Sequence, residues 1–433
     1  TYEIYNKNSG AIMVDTNGDG TGDTSVAQNG LCATITTMID SATGFEYAST
    51  NPTLLRNGTY LIKEKTAPTG YEKTASRASG NNGSIEITYR ATGDNQYHLF
   101  TTTEAEANTL KNVITALYPG HTFDWQVHAG TYMSNPVKRG KLSLKKNDAD
   151  KKSHKMTGTI ASASSDYGTV SNDNESKYAQ GDASFENAVY DIYNVSDGYV
   201  YTTGSNAATA FSKVASGKST FKSLTKLDVS TLTYTNGIYK GDLTSVITDE
   251  VAGKIRQQMA SNLCYTLTTD KKGEASTSND ALPYGIYLVL ERTPSTGYLN
   301  STENGGVTAK LVKITSEGDT VSLAYDATDT EKGLYEPIIR GGFEVYKYDE
   351  DSMMNIPQGD AKDLSAEYEV INRSKDYVWV DKNGNGKFDD NECYAPGAVV
   401  FTFKTDAETG KYTSKKNLLS YGTYEIRETK APS

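Results

Sequence analysis

The chain has 433 residues, with 54 Asp and Glu against 43 Lys and Arg, and a formal net charge of -11. That balance disfavours nucleic acid or an anionic membrane as partner, because phosphate recognition draws on clustered Lys and Arg. The length exceeds what one hydrophobic core serves, so several domains are expected. The 31 Tyr, with abundant Thr, Gly and Asn, argue against disorder and suit the pleated surface and turns of an all-β protein. Cys32, Cys264 and Cys393 cannot fully pair and are too few for a disulfide framework. Four scattered His (98, 121, 128 and 154) share no ligand spacing, which disfavours a zinc enzyme. No apolar run approaches the roughly 20 residues of a membrane helix.

Taken in chain order, the strand-like elements recur. Tyr2-Glu-Ile4-Tyr opens the chain, followed by Leu-Cys32-Ala-Thr-Ile-Thr-Thr and then Gly-Thr-Tyr60-Leu-Ile-Lys-Glu64-Lys-Thr-Ala-Pro68-Thr-Gly70-Tyr71. A helical stretch is expected from Thr103 to Leu117. A junction follows, Asn135-Pro136-Val-Lys-Arg-Gly140-Lys-Leu142-Ser-Leu144-Lys-Lys146-Asn-Asp148. The series then restarts with Tyr190-Asp-Ile192-Tyr. A short capped helix is expected over Val251 to Ala260 behind Asp249-Glu250. Next come Leu-Cys264-Tyr-Thr-Leu-Thr-Thr and Tyr-Gly-Ile-Tyr287-Leu-Val-Leu-Glu291-Arg-Thr-Pro294-Ser-Thr-Gly297-Tyr298. A second junction, Glu336-Pro337-Ile-Ile-Arg-Gly341-Gly-Phe343-Glu-Val345-Tyr-Lys347-Tyr-Asp349, leads into Tyr368-Glu-Val370, Val-Val400-Phe-Thr-Phe and Tyr-Gly-Thr-Tyr424-Glu-Ile-Arg-Glu428-Thr-Lys-Ala-Pro432.

Period-two alternation makes these elements strands, and their repetition defines three modules. The expected divisions are 1–138, lacking its first strand and carrying an insertion at 75–130; 139–340, complete and enlarged; and 341–433, lacking its last strands. The chain therefore reads as a piece of something longer. The junctions leave almost no linker.

Side chains two apart in a strand share a face. Tyr60 and Ile62 therefore accompany Glu64, Tyr287 and Val289 accompany Glu291, and Tyr424 and Ile426 accompany Glu428. Leu142 and Leu144 accompany Lys146, and Phe343 and Val345 accompany Lys347. Each module is expected to aim charged side chains into its core. Burial lowers a Lys pKa and raises that of a carboxyl, which sets a nucleophilic amine beside an acid able to polarise an amide. The bland alternative is a strand-end ion pair reaching solvent.

These residues resemble the Cna-B or SpaA-like repeat domains of Gram-positive pilins and cell-surface adhesins, over nearly the whole chain and most weakly at 75–130 and 150–180. The resemblance implies tandem immunoglobulin-like or prealbumin-like β-sandwiches. It further implies an opening-strand Lys that attacks a closing-strand Asn, releasing ammonia and leaving an isopeptide bond, with a Glu as proton shuttle. This is a single-turnover maturation and not an enzyme activity. On this pattern Glu64, Glu291 and Glu428 are the shuttles, Lys146 and Lys347 the nucleophiles, and Asn135 the acceptor. The first module's Lys would precede residue 1, and the third's Asn would follow residue 433. In the middle module Glu336 stands where Asn135 stands in the first, a departure that leaves its acceptor open, and Lys145 is an alternative to Lys146.

No cofactor is required, and Ca2+ is the one candidate ion. Asp381, Asn383, Asn385, Asp389 and Glu392 fit the twelve-position EF-hand loop, with Gly386 at the sixth position. Its flanks read as strands, so an Asn-Gly-rich hairpin loop is the competing reading. The counterpart running from Asp15 to Asp23 has Val26 where the bidentate Glu belongs. Ser216-Gly217-Lys218-Ser219-Thr220 lacks the earlier Gly of a phosphate loop, and Cys264 aligns with Val400 as a core residue. The resemblance implies an extracellular, cell-wall-anchored location. Implied partners are neighbouring modules of the same chain and a host matrix protein or glycan. The alternatives are a host-binding adhesin and an accessory region of a secreted polysaccharide-degrading enzyme.

Overall fold

The computed structural model describes residues 1–73, 85–150, 179–200, 212–214, 216–300, 306–324, 332–384 and 390–432. The protein is all-β, with three α-helices among the described residues, and it forms two compact units, Thr1–Lys138 and Arg139–Ser433.

In the first unit, β1 (Tyr2–Asn6) pairs antiparallel with β2 (Leu31–Ile35) on one side and β3 (Gly58–Glu64) on the other. β4 (Glu86–Ala91) continues the sheet beyond β3. Ile4, Cys32 and Tyr60 face one way and bury against Val14, Val26 and Leu54. The insertion forms a second cluster, in which β5 (Gln96–Thr101) runs parallel to β6 (Asp124–Ala129). The crossover between them is α1 (Glu104–Leu117), capped by Thr103 accepting from the Glu106 amide, as the Thr103–Leu117 pattern leads one to expect.

The second unit contains, in order, β7 (Arg139–Asp148), β8 (Val189–Asn194), α2 (Gly217–Thr225), α3 (Asp249–Gln258), β9 (Leu263–Thr268), β10 (Gly285–Thr293), β11 (Ala309–Ile314), β12 (Asp319–Leu323) and β13 (Leu334–Glu336). There follow β14 (Glu344–Tyr346), β15 (Glu367–Asn372), β16 (Val399–Lys404), β17 (Lys411–Thr413) and β18 (Tyr424–Lys430). The ten-residue β7 pairs in parallel with β12 and then β13. It faces a sheet in which β8 lies between β9 and β10, with β11 beyond β10. Leu142 and Leu144 of β7 meet Tyr190, Ile192, Cys264, Tyr287 and Val289 of that sheet in one continuous core.

The other face of the same sheet is covered too. Phe221 of α2 and Ala252 and Ile255 of α3 pack on Leu288, Leu290 and Leu311. A strand buried on both faces needs no polar alternation, which is why β10 reads as a nearly unbroken apolar run. α3 is capped by Thr248 and ends two residues before the expected Ala260. α2 was not expected. It begins at the segment Ser216–Thr220, so the discarded phosphate-loop pattern is the first turn of an ordinary helix.

Residues 343–430 form a smaller sandwich: β14 pairs with β17, and β15 lies between β16 and β18. Its core gathers Tyr368, Val370, Val378, Val400 and Phe403. It belongs to the same compact unit as residues 139–338, so the boundary expected near 341 falls inside that unit. Arg340 reaches Asp150 at 2.6 Å and the Trp379 carbonyl at 3.1 Å. Asp182 accepts from the Lys375 amide and the Thr423 hydroxyl, at 3.0 and 2.7 Å.

Candidate functional site: a buried lysine and its carboxylates

β7 carries Lys146 inward two residues after Leu144, and β10 carries Glu291 inward two residues after Val289. Both side chains are fully buried, and so is Glu336 at the end of β13. The Lys146 Nζ lies 3.3 Å from Glu291 Oε1 and in direct contact with Glu336 Oε2. The parallel register places Lys146 opposite Leu334, two residues before Glu336. The expected alternative, Lys145, points the other way and pairs with Glu274 at 3.5 Å.

The surroundings are apolar and closed. Burial holds the Lys146 ammonium down at about 8, with Glu291 opposing that shift. Burial also pushes the Glu291 carboxyl up to about 7, against the pull of Lys146. The ring of Tyr298 lies under the Nζ at 4.9 Å, and its hydroxyl donates to Asp148 Oδ2 at 2.9 Å. Gly297, at φ 87°, makes the turn that delivers Tyr298, and Gly70 makes the same turn before Tyr71. This explains the repeated Thr-Gly-Tyr.

Tyr190 completes the cluster. Its hydroxyl donates to Glu336 Oε1, and burial, then Glu291, holds it far above the ordinary phenol range. In register, Tyr190 stands opposite Glu291, Tyr2 opposite Glu64, and Tyr368 opposite Glu428. This Tyr was visible in the sequence as part of a repeated strand, but not as a member of the site. Asp148 was likewise visible only as a junction residue.

In the first unit Asn135 donates from Nδ2 to Glu64 Oε2 at 2.7 Å and to the Glu72 carbonyl at 3.0 Å. Glu64 is buried, and its Oε1 has no hydrogen-bond partner among the described residues. The third pair differs from the expectation of a core position. Lys347 and Glu428 meet at 2.8 Å, but their side chains are 27% and 31% exposed. β18 pairs with β15 along one edge, and no described strand pairs with its other edge. Tyr368 still donates to Glu428, at 3.2 Å.

In the candidate calcium loop, Asp381 Oδ1 accepts from the Gly384 amide at 2.7 Å, and Glu392 Oε1 accepts from the amides of Lys382 and Asn383 at 3.0 and 3.2 Å. Asn385 and Asp389 lie outside the described residues. Its counterpart turns similarly: Asp15 accepts from the amides of Gly18, Asp19 and Gly20. Among the described residues, no group of three His, Cys, Asp or Glu side chains is arranged to hold a metal ion. Cys32 and Cys264 are buried, and burial pushes their thiols up to about 11 and about 12, as suits packing residues. His98 and His128, scattered in sequence, meet across the parallel pair at 2.9 Å. No described helix is long and apolar enough to cross a membrane.

No protein-family model matches the chain, and no curated protein does. Among solved structures it is similar to the Bacillus anthracis TIE protein, at 15% identity and a TM-score of 0.35, with all of this chain covered but only 42% of that one. It is similar to a streptococcal ancillary pilin at 15% identity and a TM-score of 0.20, over 95% of this chain and 73% of that one. The shaft pilin SpaA of Lactobacillus rhamnosus GG, in a mutant form, gives 14% identity and a TM-score of 0.21 over 68% of this chain and 90% of that one. At these scores the likenesses carry no functional weight.

Proposed function

We propose that the chain is a tension-carrying structural segment of a Gram-positive surface protein of the pilin kind, extracellular and anchored to the cell wall. Its modules are tied internally by isopeptide bonds that each form once. The observation that carries this is the buried Glu that receives the acceptor or the amine: Glu64 accepts from the Asn135 amide, and Glu291 lies beside the Lys146 amine. Ionised groups in such surroundings are costly, and burial shifts Lys146 and Glu291 towards their neutral, reactive forms. The three-module division, 1–138, 139–340 and 341–433, belongs to the same reading. The packing of Arg340 on Asp150 and Trp379 supports a stiff junction, which suits a stalk. The test is digestion of the parent protein. A branched peptide joining Asn135 to a Lys, short by one ammonia, is expected; a linear Asn135 peptide of full mass contradicts the bond.

A second reading, adhesion, draws on a cleft of about 320 Å³ in the first unit, lined among others by Tyr89, Tyr97, His98, Phe100 and Tyr132. Aromatic faces of this kind suit a host glycan or protein loop. Binding on a glycan and matrix-protein array that is lost in Tyr97→Ala supports it, and a blank array counts against it.

A further inference from the structure

We infer that the middle module closes its own crosslink through Glu336, forming an amide between Lys146 Nζ and Glu336 Cδ with loss of water. The inference rests on the structural reading above and supplies the acceptor which that reading leaves open. Three observations converge on Glu336. It is fully buried and in direct contact with the Lys146 Nζ. Its two oxygens are distinguished, since Oε1 accepts from Tyr190 while Oε2 faces the amine. It also ends β13, which runs parallel beside β7, so the bond joins the first strand of the sandwich to its last.

Charge points the same way. Glu291, Glu336 and Asp148 surround the single ammonium of Lys146 within a closed apolar site. Glu291 Oε2 has no hydrogen-bond partner among the described residues. Buried ions are costly one by one, and joining Lys146 to Glu336 removes one ammonium and one carboxylate together, leaving the net charge of the site unchanged. The remaining Glu291 then accepts from the new amide N–H along the present 3.3 Å contact.

The step balances. The neutral Nζ attacks Cδ of the protonated Glu336, and the C–N bond forms. Negative charge gathers on Oε1, where the Tyr190 hydroxyl donates to it, as an oxyanion hole would. Glu291 gives its proton to the Oε2 hydroxyl, which leaves as water when the C–Oε2 bond breaks, and takes one proton back from Nζ. The products are one amide, one water and Glu291 in its starting form. No oxidant, metal or further reactant enters. Among the described residues, Tyr190 hydrogen-bonds the reacting carboxyl and Glu291 the reacting amine.

The acceptor is tested by replacing it with its amide. Glu336→Gln is expected to crosslink by losing ammonia, and so to arrive at the same covalent product as the wild type, which loses water. Peptide-level mass spectrometry of the 433-residue chain should therefore find one identical branched peptide, containing residues 146 and 336, in both proteins. Lys146→Arg should give only linear peptides, with circular dichroism confirming that it folds. Linear, full-mass peptides containing Glu336 in the wild type overturn the proposal. If Lys146 is instead joined to an Asn with loss of ammonia, the proposal fails while the crosslinked-segment reading stands. If Lys146 is also unlinked, the proposal fails, and that reading is then decided separately by the Asn135 peptide.

Discussion

Replacing Lys146 by Met on a Glu336→Gln background removes the nucleophile while leaving a neutral side chain of similar size beside Tyr190. An amide between residues 146 and 336 closes a loop of about 190 residues, for which the chain-entropy relation gives about 5 kcal/mol of stabilisation at 25 °C. In a folded body of 150–250 residues each kcal/mol moves the melting temperature by roughly 2–4 °C. The double variant should therefore melt roughly 10–20 °C below the wild type, read by differential scanning calorimetry. A buried ion pair gives the opposite expectation, because exchanging such a pair for neutral groups of similar volume is often neutral or stabilising by about 1–4 kcal/mol. The site is closed and the two partners are fully buried, so both effects apply at full strength and their signs separate. Equal or higher melting of the double variant would refute the covalent account.

The rate of bond formation should peak between about pH 7 and about pH 8. Burial holds Lys146 near 8, so its reactive neutral form is lost as pH falls, and holds Glu291 near 7, so its protonated form is lost as pH rises. Cell-free synthesis into buffers of different pH, followed by mass analysis, measures this; a rate still climbing at high pH removes the acid role from Glu291. Tyr190→Phe keeps the fully buried ring but removes the donor to Glu336 Oε1, and should slow the same step roughly 10²–10³-fold. An unchanged time course assigns Tyr190 to packing alone. Calcium is expected to bind the Asp381–Glu392 loop and to lose its site in Glu392→Gln, as followed by isothermal titration; a flat wild-type titration leaves the segment a hairpin loop held by its own amides.

Much of the fold was legible because strands declare themselves by alternation, and the inward aim of Lys146 and Glu291 follows from Leu142, Leu144, Tyr287 and Val289 on the same faces. Helix α1 was legible as the stretch from Thr103 to Leu117 and α3 from Asp249-Glu250, which lie in its first turn behind the capping Thr248. α2 was not: its Gly217-Lys-Ser-Thr start has weak helical preference, and its burial of Phe221 on the back of the sheet is a tertiary fact. Tyr190 was hidden for a different reason. Tyr is an ordinary strand residue, and its place opposite Glu291 depends on a register shift between Val189 and Tyr190, repeated between Glu367 and Tyr368. The exposure of Lys347 and Glu428 could not be read from a motif shared with the buried pair, since burial depends on what covers the strand. Glu336 was visible as a departure from Asn135. Its approach to Lys146 required knowing that β13 runs parallel to β7.

Mechanical function is reached most directly by stretching a single molecule of the chain between its ends. With the Lys146–Glu336 bond in place, force passes from the first strand straight into the last. The intervening stretch of about 190 residues cannot extend, hiding roughly 650 Å of contour at about 3.3–3.6 Å per residue. The wild type should unravel short by that length relative to the Lys146→Met, Glu336→Gln double variant. Equal contour lengths would contradict a crosslinked, tension-carrying module.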